Sequence, residues 1–396
     1  MKFFILTSLA ISLVTLFSYK ANSQVTSRSF QDTLSSSQMK IILSSIQNQS
    51  LVGIGEAEHG KKEYYDVKSQ LVKSLIKEKG FTVMAFEGSM NSFERINEYV
   101  KGDSNIDVKK FLYEANVTND SLLHHVFHTQ EILDLINWIK TYNATHKKKV
   151  SIVGFDFQNP TLLVNDINKQ LKTTGNKATV PDDSLTYFTG SLNKATLVYE
   201  EFYRNYMTYP EIIGIYKEDK LIAMAKNSSQ RVEEVKNYVD RKFPDSKDSL
   251  VSKLKINLNA LTALSKIFLD PNGAMERDKN MYENISYYKN LHKGEKTIVW
   301  AHNGHLSERD LVTGNGSRFY WMGYYLRQQF KSDFLTIGIH QNMKCASPPI
   351  SSVKGSPLQV LVRKAIQVTA KCFEDNDNAV LINIVKPKVE KAQFLY

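Results

Sequence analysis

Six short runs in this chain are almost wholly apolar and rich in β-branched or aromatic residues: Leu51 to Ile54, "FTVMAFE" at 81–87, "VSIVGFD" at 150–156, "KTIVWAHN" at 296–303, "FLTIGI" at 334–339 and "AVLINIV" at 379–385. Runs this short, without polar alternation, predict strands covered on both faces. Between the first two lies Glu63 to Lys79, with Tyr64, Val67, Leu71, Leu75 and Ile76 on one helical stripe. Strand, helix and strand over 51–87 make a βαβ unit, which requires a parallel sheet. The pattern recurs where a helix over Glu131 to Asn143, striped by Ile132, Leu135, Ile136 and Ile139, leads into the strand at 150–156. A further helix is predicted from Phe30 to Gln49.

Between 160 and 290 the strand signal vanishes. The stretch is polar, rich in Lys and Asn, and punctuated by Pro181, Pro210, Pro244 and Pro271, which reads as a helical insertion or lid. The expected fold class is therefore α/β, a three-layer core with a mainly parallel sheet and an inserted helical subdomain forming a cleft. The core is expected in two parts, 24–159 and 291–396, on either side of the insertion at 160–290.

The start, "MKFFILTSLAISLVTLFSYKANSQ", has a basic residue at Lys2, an apolar stretch to Phe17, and small residues Ala21 and Ser23. It reads as a signal peptide over 1–23 with cleavage near Ser23, and so as a periplasmic or secreted protein. An uncleaved anchor is the alternative, but the apolar stretch is short for a bilayer span. The formal net charge is +10, yet the lysines are scattered among Asp and Glu, with one tight run at Lys147-Lys148-Lys149. A solvated surface explains that better than a polyanion partner, so no nucleic acid and no stable membrane insertion are expected, and a monomer is. Cys345 and Cys372 lack metal-ligand spacing; one disulfide and two free thiols both stay open.

Four strands finish in chemically capable residues: the first in Glu56, Glu58 and His59, the second in Glu87, the third in Asp156, the fourth in His302, Asn303 and His305. In open parallel sheets the carboxyl ends of strands form the site. A lone acid there is commonly a helix cap, and a lone His commonly structural. Three of the nine histidines gathered with four acids point instead to acid–base work. A histidine can take a proton from water near neutral pH, and a carboxylate on its other nitrogen fixes the tautomer. A second His, or a Glu raised in pKa, could protonate a leaving alkoxide. No G-x-S-x-G elbow is present, so water is the expected attacking group. The same residues could ligate zinc, manganese or iron, but the H-E-x-x-H pattern is absent and no metal or other cofactor is expected.

Taken together, "GIGEAEHGKKEYYDVKSQLVKSLIKEKGFTVMAFE", "EILDLINWIKTYN", "VGFDF", "RDKNMYENI" at 277–285, "VWAHNGHL" at 299–306 and "MGYYLRQQF…DFLTIGI" at 322–339 resemble the erythromycin esterase family in collinear order. The resemblance implies metal-independent hydrolysis of the lactone ester of 14-membered macrolides, in a cleft between an α/β core and a helical subdomain. By position, His59 looks like the general base, Glu56 and Glu87 like the carboxylates that orient it, and His302 and His305 like the pair that positions or protonates the ester. Lys68, Glu63, Asp156, Asn303 and Arg277 are expected to bind substrate or support the site, with His305 or Lys68 as donors near the oxyanion. Two positions depart from the family: Lys68 stands where an Arg is usual, and Glu58 where a Thr or Ser is. A Tyr- and Phe-dense stretch at 185–216, with Glu200 and Glu201, could accept an amino-sugar cation; a Tyr-rich helical core is the plainer alternative. Two other functions stay open: hydrolysis of a different ester or lactone, and binding of haem, metal or glycan without turnover.

Overall fold

A computed structural model describes residues 34–115, 126–177, 184–194, 218–244, 246–267, 273–312, 318–341 and 379–384. The expected signal peptide, Cys345, Cys372, Glu200 and Glu201 lie outside the described residues.

The apolar runs become β1 (Leu51–Glu56), β2 (Phe81–Ser89), β3 (Ser151–Asp156) and β4 (Lys296–His302), followed after a short antiparallel pair, β5 (Asp310–Val312) and β6 (Arg318–Tyr320), by β7 (Phe334–Gln341) and β8 (Ala379–Ile384). The sheet order is β3-β2-β4-β1-β7-β8, and every neighbouring pair is parallel. Because all six strands point the same way, Glu56, Glu87, Asp156 and His302 arrive at one edge.

Successive side chains of a strand face opposite ways, and both faces are dry. Val52, Ile54, Met84, Phe86, Ile298 and Trp300 pack with α1 (Ser36–Ser45), α2 (Lys62–Lys79), α3 (Met90–Val100), α4 (Val108–Glu114) and α5 (Gln130–Thr145). The alternate residues Leu51, Val83, Ala85, Val299 and Ala301 are covered by Met281 and Ile285 of α10 (Gly273–Leu291) and by Met322 and Leu326 of α11 (Met322–Phe330). The three-layer α/β core with a parallel sheet is therefore present.

The insertion has its own apolar centre. Leu163 and Ile167 of α6 (Pro160–Lys177), Leu192 of α7 (184–194), Val232 and Val235 of α8 (Glu218–Lys242), and Leu258 and Leu261 of α9 (Ser249–Ile267) share it. The helix α10 also falls within 160–290, yet it packs both on α9 and, through Met281 and Ile285, on the sheet. It carries residues from the insertion's side to the strand ends.

Two local differences from the sequence reading have physical causes. The first helix was expected from Phe30 but starts at Ser36, where Ser35 and Gln38 form a reciprocal capping box. β2 was expected to stop at Glu87 but runs to Ser89, with its register against β3 slipping between Phe86 and Ser89. Gly154 of β3 permits the slip: a Cβ there would lie 2.4 Å from the Ser89 carbonyl oxygen and 2.7 Å from that of Gly88. Such a bulge re-aims the side chains beside it, and the residue beside this one is Glu87.

Candidate active site

The first half of the site comes from β1, the turn after it and α2. Gly60 closes the turn at φ 70°, a left-handed conformation that glycine adopts without strain. Its N–H donates to the Tyr65 hydroxyl at 3.0 Å, and that hydroxyl donates to the Val126 carbonyl at 2.8 Å. So pinned, the turn brings His59 Nδ1 to 2.9 Å from Glu56 Oε1. Lys68 reaches the other Glu56 oxygen from α2, donates to the Ala301 carbonyl at 3.2 Å, and holds its ammonium 4.1 Å from the Trp300 ring centre. Lys68 is wholly buried. Burial pulls it down to about 8, against the upward pull of Glu56 and then Glu87. Burial likewise raises Glu56, but Lys68 and then His59 outweigh it and hold that carboxyl below its ordinary value.

The second half is assembled from four segments. Glu87 Oε2 accepts the His302 N–H at 2.7 Å, while Oε1 lies 3.2 Å from both Arg277 Nη2 and His305 Nε2. Arg277 grips Asp156 through Nε and Nη2, at 2.6 Å for the closest contact. Beside Arg277 on α10, Asp278 Oδ1 takes His305 Nδ1 at 2.8 Å and the Met322 N–H at 2.9 Å. Burial raises Glu87, yet His305 and Arg277 draw it well below the usual carboxylate range.

Three histidines thus meet in one place with three different sets of partners. His302 is committed at both nitrogens to the backbone: Nε2 donates to the Ala57 carbonyl at 3.0 Å and Nδ1 accepts the Gly304 N–H at 3.1 Å. That pattern describes a neutral ring of one tautomer, and burial, helped by His59, pulls it down to about 4. His305 lies between two carboxylates; burial by itself lowers it, but Asp278 and Glu87 push it up to about 10. His59 packs its ring 4.9 Å from that of His302, keeps 21% of its side-chain surface exposed, and has no protein partner for Nε2 among the described residues.

Of the residues expected from sequence, Glu56, His59, Lys68, Glu87, Asp156, Arg277, His302 and His305 are joined in one network of hydrogen bonds and ring contacts. Asn303 is placed behind it: its N–H donates to the Glu56 carbonyl at 2.8 Å and its side-chain amide to the Ile339 carbonyl at 3.0 Å, latching the ends of β4, β1 and β7. Glu63 is buried in the first turn of α2. Glu58 faces solvent and pairs with Lys61 at 3.0 Å. Sequence reasoning missed Asp278 and Tyr65. The only signal for Asp278 was its place beside Arg277 in "RDKNMYENI", and for Tyr65 its place in "KEYYD". Among the described residues, no three His, Cys, Asp or Glu side chains are arranged to hold a metal ion.

An α/β sheet whose carboxyl edge presents a carboxylate-held histidine beside a paired network of acids and cations has the groups that acid–base chemistry needs. A family model described as Erythromycin esterase matches residues 76–344. The chain belongs to that family and is a hydrolase of it, although the matched span begins after Glu56 and His59. It is 23% identical over 364 residues to a putative hydrolase of Bacillus subtilis, YbfO, covering 84% of this chain and 75% of that one. It is 23% identical over 317 residues to the erythromycin esterase type II of Escherichia coli, covering 74% of this chain and 69% of the relative. A crystal structure of a Bacillus cereus protein superposes with a TM-score of 0.62 at 22% identity, covering 93% of this chain and 96% of the other.

Proposed function

We propose that the protein opens the macrolactone ester of 14-membered macrolides of the erythromycin type, using water activated by His59. The observation that carries the reading is the His59–Glu56 pair. Glu56 accepts the Nδ1 proton at 2.9 Å, which leaves the Nε2 lone pair directed away from the carboxylate as the proton acceptor. His59 Nε2 takes a proton from water, the hydroxide oxygen bonds to the acyl carbon, and a tetrahedral oxyanion forms. Collapse breaks the acyl carbon–oxygen bond, and the proton held by His59 passes to the leaving alkoxide, giving a hydroxy acid. His302, being neutral, adds no repulsion to the charge that His59 acquires. Arg277 and His305 offset the carboxylates of Glu87, Asp156 and Asp278, which would otherwise repel the oxyanion.

Membership of the family and the relative named as an erythromycin esterase support the substrate class. A leader over residues 1–23 cut near Ser23 places the enzyme outside the inner membrane, where it meets the drug and protects the cell. Mass spectrometry of erythromycin incubated with the mature protein tests the proposal. A gain of one water, absent with a His59→Ala control and retained with a chelator, is expected. No gain from folded protein overturns the macrolide assignment, and turnover of a panel of simpler esters and lactones then assigns the same machinery to another ester.

A further inference from the structure

We propose that Asp278 is a positioning residue that sets the charge of His305, committing it to the doubly protonated cation and leaving His59 as the imidazole of the three that can accept a proton. The inference rests on the hydrolytic reading given above only in the second of these roles.

The geometry around His305 Nε2 is ambiguous without Asp278. Arg277 Nη1, a donor, and Glu87 Oε1, an acceptor, both lie 3.2 Å from it. With Nε2 unprotonated, the ring accepts from Arg277 but turns a lone pair on the Glu87 carboxylate. With Nε2 protonated, it donates to Glu87 and stands beside the guanidinium, with Glu87 between the two cations at 3.2 Å from Arg277 Nη2. Asp278 decides between these arrangements from the other side of the ring. It is buried, it meets Nδ1 at 2.8 Å, and its oxygen is held in place by the Met322 N–H at 2.9 Å.

That second bond gives Asp278 a fixed aim. The N-cap of α11, Trp321, makes no side-chain cap bond, so Asp278 supplies from α10 the acceptor for the Met322 N–H, next to the His305 carbonyl that takes the Gly323 N–H at 2.7 Å, and swinging away would strip Met322 of that partner. Trp321 in turn packs edge-on against His305 at 5.9 Å. The charged and titratable groups around His305 are Glu87 from β2, Asp278 and Arg277 from α10, and His302 from the end of β4, its ring 6.5 Å away. Asp156 binds the same guanidinium, and the Tyr325 hydroxyl on α11 feels the Asp278 charge. Two carboxylates in direct contact against one guanidinium favour the cation. The direction of the His305 shift, upward despite burial, agrees.

The consequence is a division of labour among three chemically identical rings. A neutral His305 would be a second base beside His59. Held as a cation, it offers no lone pair and contributes only field and shape. Asp278→Asn separates charge from scaffolding, because the amide oxygen can still accept from Nδ1–H and from Met322.

Nitrogen-15 NMR of histidine-labelled full-length protein from pH 6 to 9 tests this, with the His305 signals assigned by their loss in a His305→Gln variant. Both His305 nitrogens are expected to stay protonated in the wild type, and one to deprotonate at lower pH in Asp278→Asn. A neutral His305 in the wild type at pH 7 overturns the proposal, and this arm needs neither a substrate nor a folded Asp278→Asn variant. In the pH profile of ester hydrolysis, Asp278→Asn is expected to stay within a few-fold of wild type at pH 6 and to acquire a loss of about tenfold or more by pH 9 that the wild type lacks. An equal loss at every pH overturns the positioning role and makes Asp278 merely structural. If no ester is turned over, the hydrolytic reading fails by itself while the NMR still decides the charge of His305.

Discussion

The two halves of the site are built by opposite strategies. Glu56, His59 and Lys68 come from one strand, one turn and one helix within residues 56–68. Glu87, Asp156, Arg277, Asp278 and His305 come from β2, β3, α10 and the turn after β4, and nearly every charge there has a partner of opposite sign. The local half leaves one nitrogen uncommitted; the distant half is ionically closed. The difference teaches that reactivity and electrostatic background can be placed in different parts of one sheet edge. The short-range half can hold a residue with a loose end because the turn is pinned through Tyr65 to the Val126 carbonyl. The long-range half ties the insertion's side of the molecule to the strand ends, where a loose end would be a buried unpaired charge.

Substitutions should separate the halves. His59→Ala is expected to reduce hydrolysis by about two to four orders of magnitude while thermal unfolding shifts little, since His59 is partly exposed and only Glu56 depends on it; matching losses of activity and stability would abolish the contrast. In the other half, Arg277→Met leaves the buried Asp156 without its cation and Glu87 with His305 alone, and is expected to cost about 3–5 kcal/mol in urea unfolding. A cost below about 1 kcal/mol would mean that the closed network is not holding the fold.

The histidines also predict a shape for stability against pH. His305, raised to about 10 when folded, contributes stability that is fully present below its unfolded value of about 6.5 and is lost as pH rises towards 10. His302, lowered to about 4, acts the other way: the unfolded chain takes up a proton first, so stability falls as pH drops from about 6.5 towards 4. Lys68, lowered to about 8, adds stability only between that value and about 10.5, so the window from 6.5 to 8 isolates His305. There, the unfolding free energy from urea titrations should decline with pH at up to about 1.4 kcal/mol per unit, and a flat profile would break the assignment. Glu58→Ala, at an exposed pair with Lys61, should change stability by less than about 0.5 kcal/mol and activity by less than about twofold. A larger effect on activity would extend the reactive half outwards to the rim.

The same division explains what could be read before the fold was known. The strands were legible because their apolar runs carry no polar alternation, and Glu56 and His59 because a costly turn follows one of them. Residues 87, 156, 302 and 305 were legible as strand ends, which a parallel sheet must bring to one edge. Asp278 was not, because its meaning depends on α10 crossing from the insertion to the sheet, a path that periodicity within 273–291 does not state. The protonation pattern was hidden for the same reason: His302 and His305 are three apart in sequence, but one meets backbone and the other carboxylates. The bulge at β2 could not be read either, since Gly154 matters only through the strand beside it.

Trp300, one of three tryptophans in the chain, lies buried with the Lys68 ammonium 4.1 Å from its ring centre. An indole's emission colour shifts with the electric field across it, and this ammonium lies well within the roughly 6 Å reach of such contacts. With Trp138 and Trp321 replaced by Phe, the protein therefore carries an optical gauge of its own Glu56–Lys68 pair, readable in the resting enzyme with no label and no substrate.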